Sequence, residues 1–353
     1  MDNTASKPAE RKSFASDNWS GVSPEIMTAL QAVNSGHHPA YGENDPLLAQ
    51  AESLFQKTFE TACKVFFVYN GTGANVLSVS QLLKSWQAVV APHSAHLNED
   101  EGGAPEKFMG GKILTVDCPD GKLRKEQLIP FFNSIGFQHH VQPKLISISQ
   151  ATEMGTLYSP EEISELAQFA HANDMYLHVD GARIANAATA LGCSFAEMIT
   201  HTGVDVLSFG GTKNGLMFGE AVVFLKPELA DGFKYNRKQG MQLASKQRFI
   251  IAQFITYLQN DLWRRNAENA NAMAQLLSQK LQEIEGMRLS RPTEANGVFA
   301  IMPKDVISAL QESYFFHVWN EANNEVRLMC SFDTTKEDVE GFAKEALRLM
   351  KKS

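Results

Sequence analysis

Cysteine and long apolar runs are both scarce in this sequence. The 353 residues include four cysteines, at positions 63, 118, 193 and 330, and no two form a Cys-x-x-Cys pair. Scattered cysteines argue against a disulfide-stabilised secreted fold and indicate free thiols in a reducing compartment. The longest apolar stretches, such as FIIAQFITYL, are too short to span a bilayer. The N-terminal residues lack the apolar core of a signal peptide. We therefore expect a cytoplasmic protein.

An excess of positive charge is also missing. The chain carries 32 basic and 40 acidic residues, for a net charge of −8. That balance argues against nucleic acid or an anionic membrane as the main partner. With 44% apolar and 20% charged residues the composition is that of a globular protein. The length favours one large and one smaller domain.

Seven near-continuous apolar runs alternate with helical patterns up to about residue 225. Such runs are typical of strands buried on both faces of a mostly parallel sheet. In the clearest helix, Ser159 precedes Pro160, and Glu162 completes a capping box. The sequence thus predicts an α/β domain. The predicted strands are KVFFVY (64–69), AVVAP (88–92), KILTV (112–116), KLISIS (144–149), MYLHVD (175–180), DVLSFG (205–210) and EAVVFL (220–225).

Past residue 240 the pattern changes to a long helical stretch, 241–286, which we interpret as two helices or one bent helix. Strand runs at 297–302, 315–319 and 325–331 follow, and then a final amphipathic helix. We expect a flexible N-terminus at 1–13, a large domain at 14–245 and a smaller C-terminal α+β domain at 246–353. The final helix is expected to turn these side chains inward: Val339, Phe342, Ala346, Leu347 and Met350.

Polar residues that end the apolar runs are the candidate site residues, because ligands of open α/β sheets bind outside the carboxyl ends of the strands. Lys213 follows one run through Gly-Gly-Thr, and a lysine shielded from water can act as an amine nucleophile. Taken alone, an ordinary loop lysine explains it better. Asp180 lies 33 residues earlier on the preceding strand. A carboxylate there can keep a pyridinium nitrogen protonated. A helix cap also explains Asp180, but not the nearby Arg183.

A glycine-rich turn between a strand and a helix, NGTGAN at 70–75, is a candidate phosphate site. Backbone N–H groups at a helix N-terminus bind anions, and glycine lets the anion approach. Position 76 is valine, so the dinucleotide pattern G-x-G-x-x-G fails, and a single phosphate is the better ligand. GGTKNG at 210–215 does not have the spacing of a phosphate-binding P-loop.

Histidines and arginines supply further candidates. His93 and His96 follow another strand, where an imidazole can stack on a cofactor ring or move a proton. Together with the following acidic run they also leave a divalent metal open. Arg327 lies within a strand, opposite in face to its apolar neighbours, where its planar group suits a substrate carboxylate. Lys246 and Arg248 are either solvated helix charges or phosphate ligands, in this chain or a neighbouring subunit.

Taken in order along the chain, these features resemble the fold-type I enzymes that depend on pyridoxal phosphate. Within that class the chain resembles the L-threonine aldolases, especially their low-specificity bacterial branch. The matching segments cover nearly the whole chain: FASDNWSG (14–21), AYGENDP (40–46), NGTGAN (70–75), AHLNEDEGG (95–103), LHVDGARIANA (177–187), SFGGTKNG (208–215), LASKQRF (243–249) and VRLMCSFD (326–333).

The resemblance implies a role for each matching residue. It implies that Lys213 binds pyridoxal 5′-phosphate covalently, that Asp180 pairs with the pyridine nitrogen and that His96 stacks on the ring. It also implies a homo-oligomer, usually a tetramer built as a dimer of dimers, with active sites at a subunit interface and no resident metal. Gly71 and Thr72 would hold the phosphate, with Arg248 or Lys246; Ser16, Arg183 and Arg327 would bind the substrate carboxylate and the cofactor's phenolic oxygen; and Tyr41 would come from the neighbouring subunit.

One segment departs from the family pattern. Many members carry a histidine in a Glu-Asn-Thr-His stretch, whereas SQATEMG (149–155) has Glu153 at that place. The base that takes the proton of the β-hydroxyl group is therefore His96, Glu153 or an ordered water.

Three hypotheses follow. The leading one is an aldolase that cleaves L-threonine, L-allo-threonine and other L-3-hydroxy-amino acids, such as phenylserine, to glycine and an aldehyde. The second keeps the cofactor but eliminates a β-substituent from an aromatic or hydroxy amino acid, which would release ammonia and pyruvate. The third is a non-catalytic metal- or ligand-binding protein built on His93 and His96, which leaves Lys213 and Arg183 unexplained.

Overall fold

A computed structural model describes residues 12–352, which divide into two compact units. The larger unit is Gly21–Glu268. The smaller unit joins residues 12–20 to residues 269–352. The expected flexible segment lies, for residues 1–11, outside the described residues. Among residues 12–352, no helix combines the length and apolarity needed to cross a membrane.

A seven-stranded sheet forms the centre of the larger unit, in the order β1-β7-β6-β5-β4-β2-β3. Strands β2 to β6 are parallel to one another, and β7 is antiparallel to both β1 and β6. The predicted α/β domain with a mostly parallel sheet is confirmed. The strands are β1 (Lys64–Val68), β2 (Gln87–Pro92), β3 (Lys112–Val116), β4 (Gln142–Ser149), β5 (Tyr176–Gly181), β6 (Val206–Gly210) and β7 (Glu220–Phe224).

Helices connect these strands, and the sequence explains where several of them begin. The predicted capping box of α7 is present, because Ser159 Oγ accepts from the Glu162 N–H and Glu162 accepts from the Ser159 N–H. The helices are α1 (Pro24–Ala32), α2 (Pro46–Phe59), α3 (Gly71–Leu82), α4 (His96–Glu99), α5 (Ala104–Met109), α6 (Lys125–Leu128), α7 (Pro160–Ala172), α8 (Ile184–Leu191), α9 (Phe233–Gln239), α10 (Gln247–Leu258) and α11 (Leu262–Gln282).

Phenylalanines fill the space between the sheet and the helices on one side. Phe55 of α2 lies with its ring centroid 5.6 Å from Phe209 of β6 and 5.8 Å from Phe67 of β1. Phe254 of α10 joins the same group, 5.2 Å from Phe67. All four side chains are buried. Edge-to-face and tilted pairs of this kind hold the strands that carry the site in fixed positions.

An antiparallel sheet forms the smaller unit, in the order β10-β11-β9-β8. The N-terminal segment belongs to this unit because the buried ring of Phe14 packs against Tyr314 and Phe342, and its N–H donates to Phe315 O. The remaining elements are β8 (Arg288–Leu289), β9 (Gly297–Ile301), β10 (His317–Asn320), β11 (Glu325–Met329), α12 (Lys304–Leu310) and α13 (Lys336–Met350).

The two units differ from the domain boundaries expected from the sequence. Residues 14–20 group with the C-terminal part, and Ser13 already forms a bridge with Phe315. The second boundary falls at 268/269, within α11, rather than at 245/246. The reason is that α10 is buried nearly all round by the larger unit. The change from strands to helices at residue 240 therefore does not mark a change of unit.

Candidate functional site

The carboxyl ends of β4, β5 and β6 gather the principal candidate residues. Asp180 lies at the end of β5, paired with Ser149 of β4 and Ser208 of β6. Lys213 lies in the 3₁₀ turn Thr212–Asn214 that follows β6. The predicted adjacency of the strands that carry Asp180 and precede Lys213 is confirmed.

Asp180 is a buried carboxylate with fixed hydrogen-bond partners. Its Oδ2 accepts from Asn75 Nδ2 at 2.8 Å, and its Oδ1 accepts from the Ala182 N–H at 3.0 Å. The alternative that Asp180 caps the next helix is wrong, because Arg183 occupies the N-cap position of α8. The Asp180 carboxylate is instead oriented by Asn75 and the Ala182 N–H.

His178 lies two residues before Asp180, on the same face of β5. It is fully buried, and its two ring nitrogens lie 2.9 Å from the hydroxyl oxygens of Ser147 and Ser208. Burial lowers the pKa of His178 to about 4, although the nearby carboxylate of Asp180 opposes the shift. His178 is thus a neutral side chain that fixes the surroundings of Asp180.

His96, at the start of α4, is paired with a carboxylate that sequence reasoning missed. Its Nδ1 lies 2.9 Å from Oε1 of the buried Glu101. The same oxygen accepts from Asn75 Nδ2 at 3.0 Å, so one amide group connects Glu101 with Asp180. The hydrogen bond to Glu101 raises the pKa of His96, while burial and the charge of Lys213 lower it. Glu101 and Asn75 lie within quoted motifs, but only the fold brings them together.

Glu153 lies against His96. Its Oε1 accepts from the His96 N–H and from Ser149 Oγ, both at 3.2 Å. Burial, and then the negative charge of Asp180, raise the pKa of Glu153 above that of an ordinary glutamate. A carboxyl group with a raised pKa is better suited to exchange protons near neutral pH. His96 and Glu153 are therefore neighbouring titratable groups, each with a raised pKa.

The glycine-rich turn begins helix α3 as predicted. Asn70 is the N-cap residue, and its Oδ1 accepts from the Gly73 N–H at 2.7 Å. The first N–H groups of the helix, from Gly71 and Thr72, have no acceptor within the helix itself. A Cβ atom placed on Gly71 would meet no other atom within 4 Å. Space and N–H groups for an anion are thus both present.

Three candidate residues lie on the surface side of the larger unit. Tyr41 is exposed, in a turn whose backbone N–H donates to Ser245 O, and Lys246 is exposed beside that turn. Arg248 is engaged within its own chain, since its Nε lies 3.0 Å from Asp45 Oδ2 and its NH1 donates to Val33 O.

Ser16 and Arg327 belong to the smaller unit. Ser16 caps a short 3₁₀ turn by accepting from the Asn18 N–H at 3.2 Å. Arg327 is half-buried on β11, with its guanidinium 4.6 Å from the ring centroid of Trp319. Its neighbours Val326 and Leu328 are fully buried, so the predicted alternation of faces is confirmed.

The two histidines proposed for a metal point to different partners. His93 is exposed and lies 3.5 Å from Glu99, whereas His96 pairs with Glu101. Within residues 12–352, no group of three or more His, Cys, Asp or Glu side chains is arranged to hold a metal ion.

The chemistry of the site fits pyridoxal phosphate. Asp180 offers a buried carboxylate for a pyridinium nitrogen, and Lys213 an amine for an aldehyde. The open space before Gly71, at the N-terminus of α3, suits a phosphate group. The charge of Asp180 raises the pKa of His96 and that of Lys213 lowers it, so both charges act on the imidazole. Fold and site together define a fold-type I enzyme that uses pyridoxal phosphate.

Comparison with known proteins agrees. The beta-eliminating lyase family matches residues 13–304. A low specificity L-threonine aldolase from Pseudomonas aeruginosa is 41% identical over 338 residues, covering 96% of this chain and 97% of the relative. The structure of a threonine aldolase from Leishmania major is 30% identical, with a TM-score of 0.91 over 96% of this chain and 99% of that chain. A Listeria monocytogenes structure at 16% identity and a TM-score of 0.69 shares the fold. The chain belongs to the beta-eliminating lyase family of pyridoxal-phosphate-dependent lyases.

Proposed function

We propose that this protein cleaves L-3-hydroxy-α-amino acids, with L-threonine and L-allo-threonine as substrates, to glycine and an aldehyde. The observation that carries the proposal is the continuous set of hydrogen bonds from Asp180 through Asn75 and Glu101 to His96, at the sheet edge that carries Lys213. The near full-length relative named as a low specificity L-threonine aldolase supports the same activity.

Bound pyridoxal phosphate supplies a protonated ring that accepts the electron pair released when the Cα–Cβ bond breaks. Asp180 keeps the ring nitrogen protonated because its buried carboxylate is held for that contact by Asn75 and the Ala182 N–H. Lys213 would hold the cofactor through its side-chain amine. Gly71 and Thr72 would hold the phosphate, and His96 would contact the ring.

Removal of the β-hydroxyl proton falls to His96 or Glu153, directly or through a water. The two groups lie against each other, and both have a raised pKa. We favour His96 because Glu101 fixes its Nδ1, which leaves Nε2 for the substrate. Glu153 then holds the backbone of His96 in place.

We assign orientation of the substrate to Arg183 of the larger unit, which would bind the substrate carboxylate. A carboxylate held in one place would select which bond at Cα breaks, and so favour Cα–Cβ cleavage. Loss of one hydrogen bond to a charged group should cost about 1.5–3 kcal/mol of transition-state binding. Replacing Arg183 with Leu should therefore lower kcat/KM about 10- to 150-fold.

The first experiment measures aldehyde release from L-threonine and from phenylserine by the holoprotein, together with Lys213→Ala. Release by the wild type and its loss in the variant would support the proposal. Lys344→Ala removes an exposed lysine of α13 and serves as the matched control. Ammonia and pyruvate in place of glycine and aldehyde would assign β-elimination instead, and no product from any β-hydroxy amino acid would overturn both activities.

Assembly belongs to the same proposal. We infer a homo-oligomer in the cytoplasm, a dimer of dimers with active sites at the interface. A groove of about 790 Å³ on the larger unit is lined by Tyr69, Met217 and Phe218, all partly exposed. Two of its lining residues are Met217, which lies four residues after Lys213, and Lys246. A second copy would cover these side chains and place Tyr41 and Lys246 near the neighbouring site.

A further inference from the structure

A carboxylate without a role in the proposed reaction lies beneath the turn that carries Lys213. Glu220 is the first residue of β7, where it pairs with Gly210 at the end of β6 and with Val68 at the end of β1. Its side chain is buried. A buried carboxylate in the middle of a sheet is costly unless charges or hydrogen bonds compensate for the lost water.

The compensating groups all come from the turn of Lys213. Oε2 of Glu220 accepts from the Gly211 N–H at 2.8 Å. The charge of Lys213 attracts the same carboxyl group. The Thr212 hydroxyl donates to Gly219 O, one residue before Glu220, at 3.3 Å. The start of β7 therefore holds the segment from Gly211 to Lys213 in place.

We propose that Glu220 is a positioning residue for Lys213, which fixes the turn and provides the buried counter-charge of the lysine nitrogen. The inference rests on the binding of pyridoxal phosphate to Lys213, but not on the substrate. Whenever the nitrogen of Lys213 carries a proton, ionised Glu220 stabilises that proton; when the nitrogen loses its charge, Glu220 takes up a proton more readily.

The other charged and titratable groups that face Glu220 are few. Asp180 of β5 repels its charge, and Tyr257 of α10 lies near enough for Glu220 to raise the tyrosine pKa. Tyr257 is itself held by Asn214 at 2.8 Å. Burial, and to a smaller extent Asp180, raise the pKa of Glu220 to about 7, against the opposing effects of the Thr212 hydroxyl, the Gly211 N–H and the charge of Lys213. Glu220 therefore changes charge in the neutral range.

The raised pKa of Glu220 makes its contribution to folding stability depend on pH. An unfolded glutamate loses its proton near pH 4.5, whereas folded Glu220 keeps it to about pH 7. As the pH rises through this window, the unfolded state binds fewer protons than the folded state, so the stability contributed by Glu220 falls. A variant without the charge escapes this loss.

The experiment is a pH titration of the visible absorption of the holoprotein, without any amino acid, for the wild type and Glu220→Gln. The variant keeps the size of the side chain and an acceptor for the Gly211 N–H. We expect the absorption midpoint to shift down by about one pH unit, because the protonated nitrogen has lost its counter-charge. Thr212→Val, which keeps the carboxyl group but removes the hydrogen bond from the turn to Gly219 O, should shift the midpoint in the same direction by less.

Asp205→Asn is the matched control, since Asp205 is also a buried carboxylate and directly precedes β6, at the end away from Gly210. It should leave the midpoint unchanged. In the apoprotein, the melting temperature of Glu220→Gln minus that of the wild type should increase as the pH is raised from 4.5 to 7. An unchanged midpoint in both Glu220→Gln and Thr212→Val would overturn the proposal. Because no substrate is present, that result would not bear on the aldolase reaction.

Discussion

His96 and Glu101 determine how the candidate site should respond to pH. The hydrogen bond that Glu101 accepts from the His96 ring raises the pKa of His96. A histidine that acts as a base works only when it is deprotonated, so this bond moves the acidic limb of the rate profile upward. In Glu101→Gln we expect the acidic limb of kcat/KM to move down by about one pH unit. The measurement is kcat/KM for L-threonine between about pH 5.5 and 9, a range that brackets the pH at which a histidine side chain usually titrates.

The matched control is Glu99→Gln, which removes an exposed carboxylate two residues away that contacts His93. Its profile should equal that of the wild type. If the limb stays in place in Glu101→Gln, His96 is not the base, and Glu153 becomes the residue to replace.

The His96–Glu101 pair also makes the folding stability depend on pH, in a direction set by the raised pKa of His96. Since the folded pKa of His96 is raised, its contribution is fully present below the unfolded pKa of 6.5 and is lost as the pH rises through the folded pKa. The wild-type apoprotein should therefore melt at a higher temperature than Glu101→Gln. This difference should be largest at the lowest pH at which both proteins are folded. A difference that grows above pH 7 would contradict the direction of the shift.

Residues were predictable where their chemistry shows in a short segment. Asp180 and Lys213 stood out because each ends or follows an apolar run. Glu101, Asn75 and Glu220 did not, because their meaning lies in contacts across the fold. Asn75 reaches Asp180 over 105 positions. No local pattern states that one face of α3 packs against the end of β5.

At the scale of elements, apolar runs predicted the seven strands to within a few residues. They did not predict direction: β7 is antiparallel to both neighbours, and burial on both faces is the same for either direction. The long helical stretch is confirmed as two helices, separated at Asn260, where φ is 53°. The inward placement of Leu347 on α13 is wrong. That residue is 39% exposed, because the buried face of the helix is narrower than the apolar pattern.

Asp205 ties three elements together at the amino end of the parallel strands. Its Oδ2 accepts from the Leu177 N–H of β5 at 2.7 Å and lies 3.0 Å from His171 Nε2 of α7. Its Oδ1 lies 2.5 Å from Lys226 Nζ, just beyond β7. Asp205→Ala should destabilise the fold by roughly 2–3 kcal/mol, because a buried N–H group is left without its charged acceptor. Thermal unfolding of the apoprotein measures this loss.

Lys226→Met is the comparison for that variant. The lysine is partly exposed, so its ion pair contributes little, and the expected cost is under about 1 kcal/mol. Equal losses in the two variants would mean that the ion pair, rather than the hydrogen bond to Leu177, holds this end of the sheet.

At the scale of the whole molecule, the length of the chain favoured one large and one smaller unit, but it gave no sign of which segments belong to each. Phe14 is the decisive residue. Its burial against Tyr314 and Phe342 brings the N-terminal segment, with Ser16, into the C-terminal unit. A boundary drawn from sequence assumes that neighbours along the chain stay together, and a single buried aromatic side chain is enough to break that assumption.

The exposed apolar side chains after Lys213 lead to a prediction about assembly. Met217 is 41% and Phe218 37% exposed, yet their backbone is rigidly held, since Gln253 accepts from the Met217 N–H and donates to Phe218 O. The ring of Phe218 stacks against that of Tyr69 at 6.3 Å. A fixed apolar patch of this kind is typical of a protein interface.

Phe218→Asp should therefore dissociate the proposed oligomer, because the interface would have to bury an unpaired charge. Sedimentation velocity measures the mass directly, and the wild type should sediment as a multiple of the single chain. Phe137→Asp changes an even more exposed phenylalanine outside the groove and should leave the mass unchanged. If the wild type sediments as a single chain, the groove is not a self-association surface, and a complete active site must be built from one chain.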